Sequence, residues 1–67
     1  SLEELRQQAY ENVISEVVFI ARASEGAITP DWLMEQPIFI RKKYLKQFEK
    51  ELREREARME RMRSKKK

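Results

Sequence analysis

Residues 37–62, PIFIRKKYLKQFEKELREREARMERM, limit the possible folds more than any other stretch of the chain. Ile38, Leu45, Leu52 and Met59 recur at intervals of seven, and Phe48 and Met62 each follow one of them by three. These are the a and d positions of a heptad, which line apolar side chains along one stripe of an α-helix. The other two d positions hold Arg41 and Arg55, so the seam is interrupted and does not read as an ideal two-stranded coiled coil. Parallel pairing would also set Glu51 against Glu56 and Arg58 against Arg63, like charge on like. Antiparallel or heteromeric packing is penalised less.

The rest of the chain offers this helix little to pack on. Sixty-seven residues make at most one domain, and a domain of this size buries only about 60% of its unfolded surface. Charged residues make up 40% and the mean hydropathy is −0.84. Burial and chain entropy then nearly cancel. With no Cys, neither a disulfide nor a thiolate metal site can add stability. Association with a partner or with itself is the expected source of the remainder. Charge is split between the halves: residues 1–40 carry a net −5 and residues 41–67 a net +8. Such polarity suits halves that pair with each other or face different partners. The longest apolar run, Val17 to Ala21, is far short of the ~20 residues that cross a bilayer. The opening stretch lacks the basic and apolar regions of a signal peptide. The expectation is a protein of the cytoplasm or of a virion, with no membrane contact.

Residues 2–24 predict a first helix. Leu2, Leu5, Ala9, Val13, Val17 and Ile20 step by three or four, and Tyr10, Ile14, Val18 and Ala21 widen the stripe. A face that wide is expected to be buried against more than one neighbour. Ser1 and Glu4 fit a capping box. Gly26, the only glycine, stands where a left-handed residue would close the helix. Thr29-Pro30-Asp31 then reads as an N-cap, a first helical Pro and an acid in the first turn, opening a short corner helix over 30–36. Pro37 disfavours helical geometry at Gln36 and opens a long helix over 37–63. Ile38, Phe39 and Ile40 point to different sides, which predicts burial against both other helices. Glu49–Arg53, Glu51–Arg55 and Glu54–Arg58 are spaced as stabilising ion pairs. The basic tail, residues 61–67, is expected to fray. The architecture predicted is all-α, a single-domain helical hairpin whose last helix projects past its body.

Function classes separate on residue chemistry. With no Cys or His, one Gly and few hydroxyls, no nucleophile–base pairing is available, and no oxygen-rich loop resembles a calcium site. The expectation is no enzyme, no cofactor and no metal. Arg41, Lys42, Lys43, Lys46 and Lys50 interleave with Tyr44 and Phe48, a pattern that could bind nucleic acid through salt-sensitive phosphate contacts. Five Glu within residues 49–60 oppose that, and Tyr44 and Phe48 lie on the apolar side. The partner surface expected from the seam and the corner is Trp32, Tyr44, Phe48, Leu52, Met59 and Met62, flanked by Arg41 and Arg55.

At Glu16-Val17-Val18-Phe19-Ile20-Ala21 the chain resembles small proteins encoded beside the tail-tube and baseplate-hub proteins of contractile-tailed phages and phage-like injection systems. Trp32-Leu33-Met34 in a corner segment and the basic-aromatic run from Arg41 to Phe48 continue the similarity, which spans roughly residues 13–50. The resemblance implies a tail-assembly chaperone or small hub-associated component that binds a larger tail protein and does no chemistry. A nucleic-acid-binding helix and a purely structural subunit are the alternatives.

Overall fold

The computed structural model describes residues 1–65, and over these the chain forms three helices: α1 (Leu2–Ala23), α2 (Pro30–Glu35) and α3 (Ile38–Lys65). Each boundary has a local cause. Ser1 caps α1 by accepting the Glu4 amide at 3.3 Å, while the Glu4 carboxylate takes the terminal amino group at 3.5 Å. At the other end the Gly26 amide donates to the Ala21 carbonyl (2.8 Å) and the Glu25 amide to the Arg22 carbonyl (3.0 Å). That is a Schellman closure, with Glu25 in the left-handed region (φ 56) followed by Gly26 (φ 83). The expected left-handed site at Gly26 is present, but the turn also requires one from Glu25. Ser24 ties the loop down, donating to Ala21 and accepting from Ile28. Thr29 caps α2 through the Trp32 amide at 3.2 Å, with Pro30 at the first helical position. Gln36 is extended (ψ 155), as the ring of Pro37 demands, and α3 starts one residue later.

Two long helices folded together through a corner helix form a helical hairpin-like arrangement. Its core is small. Val17, Ile20 and Leu33 are buried, with Val13, Phe19, Ile28, Tyr44, Leu45 and Phe48 packed around them. Contacts step in the same sense along both long helices. Glu16 meets Arg41 and Lys42, and further on Phe19, Arg22 and Ala23 face Phe48, Leu52 and Arg55. The helices therefore overlap in the middle and leave the overlap at opposite ends. The molecule is 52 Å long, although α3 alone would span only roughly 42 Å at 1.5 Å per residue. Its radius of gyration is 15.7 Å, against about 11 Å for a compact chain of this length.

The offset leaves two arms: every residue from Ser1 to Asn12 and from Glu51 to Lys65 is exposed, although Glu51, Leu52 and Arg55 still face α1 across an open gap. This corrects the expectation that the whole wide face of α1 is buried. Leu2 (75% exposed), Leu5 and Tyr10 lie open, because no other helix reaches past Val13 toward the start of α1, and Ile14 is exposed within the overlap itself. Ile38 and Phe39 are likewise exposed (64% and 61%), and only Ile40 is partly covered, since α1 and α2 meet α3 beyond its first turn. The projecting end of α3 is as expected, but it stays helical through Lys65 rather than fraying from residue 61; residues 66–67 lie outside the described residues. On its surface the ion pairs are Lys50–Glu54 (4.0 Å) and Glu60–Arg63 (3.5 Å) in place of the three that spacing suggested. Exposed pairs are each worth well under about 1 kcal/mol, too little to hold long side chains to one partner.

Candidate protein-interaction surface

One polar contact anchors the body. Arg41 is 7% exposed, and its Nε donates to Glu16 Oε2 at 2.8 Å, clamping the start of α3 to the middle of α1. Lys42 also reaches Glu16, from the solvent side. Burial pushes the Glu16 carboxyl up, but hydrogen bonds from Lys42 and Arg41 and their positive charge outweigh that and hold it below the usual carboxylate value. Among the described residues no buried side-chain polar atom lacks a partner. Arg41 therefore belongs to the interior; expected to flank a partner surface, it is already occupied by Glu16.

Beside this clamp, the overlap of α1 and α3 opens a groove of about 520 Å³. Its floor is apolar, from Val18 and Phe19 on α1 and Phe48 and Leu52 on α3. Its rim alternates in charge, with Arg22 and Glu25 on one side and Glu51 and Arg55 on the other. The stagger of the helices sets its position: the end of α1, Arg22 and Ala23, lies across from Leu52 and Arg55 of α3, and no side chain fills the space between them. A smaller recess lies around the corner, lined by Ala27, Ile28, Thr29, Trp32 and Tyr44. There Trp32 stands edge-on to Tyr44 (centroids 6.1 Å apart, 75° between planes), and Tyr44 in turn lies near-parallel to Phe48 at 6.5 Å. The three rings form a short aromatic row from the corner to the groove. Its outer member is Trp32, 41% exposed, and its inner members pack on the core.

The expected partner residues thus fall into three groups. Phe48, Leu52 and Arg55 meet in the groove, Trp32 and Tyr44 meet in the recess, and Met59 and Met62 lie beyond both on the free arm of α3. Val18, Phe19, Arg22, Glu25 and Glu51 also line the groove without having been expected there. Val18 was visible as a widening of the α1 stripe, but which helix would face it depends on the crossing. Arrangements of this kind can hold an apolar segment of another polypeptide and offer it salt-bridging rims. Among the described residues no three acidic side chains are placed to hold a metal ion, and no helix is long and apolar enough to cross a membrane. No family model, curated protein or solved structure matches the chain.

Proposed function

We propose that this chain is a non-enzymatic protein-interaction module, a small assembly factor or tail component that binds a larger protein of a contractile tail or phage-like injection system. The observation carrying the reading is the groove: an apolar floor of Val18, Phe19, Phe48 and Leu52 with charged rims, left open at the edge of a small core on which Phe19 and Phe48 pack. A helix laid in a groove of this kind is a common mode of protein recognition. The residues that resemble tail-associated proteins, Glu16 to Ala21, Trp32 to Met34 and Arg41 to Phe48, all lie in this body rather than in the arms. A nucleic-acid interface receives less support. Lys42 is engaged by Glu16, and Tyr44 and Phe48 are half-buried, so the basic-aromatic run does not present stacking platforms.

The test is direct mixing with a purified tail-tube or baseplate-hub protein of such a system, followed by size-exclusion chromatography and calorimetry. A complex is expected whose affinity changes little between about 50 and 200 mM salt, where phosphate-driven binding would fall by orders of magnitude. Leu52→Asp, at a half-open position on the groove floor, should weaken it at least about tenfold, or 1.4 kcal/mol. Absence of any complex, or binding confined to oligonucleotides and lost with salt, overturns the reading.

A further inference from the structure

The two arms carry apolar side chains that neither the core nor the groove uses. On α1 these are Leu2, Leu5 and Ala9, with Tyr10 beside them; on α3 they are Met59 and Met62, and Arg55 of the groove rim stands one step before them. Both series step by three and four, so each is a heptad seam of the same pitch. Laid antiparallel, the two register without a gap: Leu2 meets Met62, Leu5 meets Met59, and the small Ala9 leaves room for the stem of Arg55.

We propose that the chain pairs with a second copy of itself, the α1 arm of each lying antiparallel along the α3 arm of the other. Three observations select this occupant. The first is charge. Residues 2–12 carry a net −2 and residues 53–65 a net +3, so α1 on α1 and α3 on α3 repel while α1 on α3 attracts. In the antiparallel register Arg6 flanks the seam beside Glu56 of the other copy, an opposite-charge pair in place of the like-charged contacts of a parallel α3 dimer. The second is geometry. Because the arms leave the body at opposite ends, two copies turned end for end bring an α1 arm beside an α3 arm at each end, so the contact is made twice. The third is area. The chain exposes 5986 Å², where a compact monomer of its mass would expose roughly 4,500 Å². That excess reflects the elongated outline, and it leaves more surface uncovered than the ~800 Å² per partner that a standard stable interface needs.

Sedimentation equilibrium of the full chain from about 1 μM to about 1 mM covers the range of ordinary homodimers. The expected species at the upper end has twice the chain mass of 8.2 kDa. Leu5→Asp and Met59→Asp should each raise the dissociation constant at least tenfold. Both residues are exposed in the single chain, so helicity by circular dichroism should hold. Arg6→Glu alone and Glu56→Arg alone should each weaken the dimer, and mixing the two variants should restore it as a heterodimer, since both arm pairs are then complementary. A chain that stays monomeric throughout overturns the proposal. So does a dimer indifferent to Leu5→Asp and Met59→Asp, or a mixture of the two charge variants that forms no heterodimer. Arg55 belongs to both the paired seam and the groove rim, but Leu5, Arg6, Glu56 and Met59 all lie outside the groove, so these variants read pairing alone and binding of a larger tail protein is tested separately.

Discussion

Glu25 holds a left-handed backbone conformation that costs an L-residue with a Cβ roughly 1–2 kcal/mol. Its side chain stands on the groove rim and makes none of the ion pairs found among the described residues. Glu25→Gly should therefore stabilise the fold by about 1 kcal/mol, a rise in Tm of about 4–8 °C for a domain of this size, read by thermal circular dichroism. Glu16 works in the opposite direction. Replacing it with Gln leaves Arg41 nearly buried with no counter-charge, and the expected cost is about 3 kcal/mol, measurable by urea unfolding. The same carboxylate sets an acid limit. Its folded-state pKa lies below its unfolded value, so its stabilisation is complete above the ordinary carboxylate range and is lost as pH falls through the lowered value. The urea midpoint of the native chain should fall on acidification through that window, and that of Glu16→Gln should fall less.

Among the elements, α2 is held by its ends more than by its length. Six residues cannot sustain a helix alone, and this one survives because Thr29 caps it, Pro30 starts it and Leu33 plugs the core. Thr29→Ala removes the cap and should cost about 1 kcal/mol, with Trp32 fluorescence reporting whether the corner loosens before α1 and α3 separate. Helix α3 is the contrasting case. Its first half is positioned by the Arg41 clamp and the aromatic row, its second half only by its own backbone and a few surface pairs. Amide exchange should accordingly be slow through Leu45 and fast beyond Leu52 in dilute solution, and the contrast should fade where the arms are paired.

At the scale of the molecule, the small core and the long outline have one consequence. Three buried apolar residues, with six partly buried ones around them, leave a narrow margin, so anything that covers the arms or groove of the folded chain would add to its stability. The Tm of the isolated chain should rise with protein concentration, as mass action requires when only the folded state associates. Under the function proposed above, binding of a larger tail protein in the groove should raise it further at fixed concentration. Much of the fold could be read from residue types alone. Ser1 and Glu4, Thr29 and Pro30, and Gln36 before Pro37 mark helix ends through hydrogen bonds and ring sterics that act over four residues or fewer, and the all-α class follows from helical periodicity. Local chemistry carries no information on how far one helix slides along another. That offset arises from Glu16 meeting Arg41 across 25 residues of chain and from Leu33 filling the space over Val17 and Ile20. It moved Arg41 from the surface to the interior, uncovered Leu2, Leu5 and Ile38, and opened the groove between Phe19 and Leu52, because burial depends on which side chains long-range packing brings near, and a periodic stripe has no means of naming its neighbour.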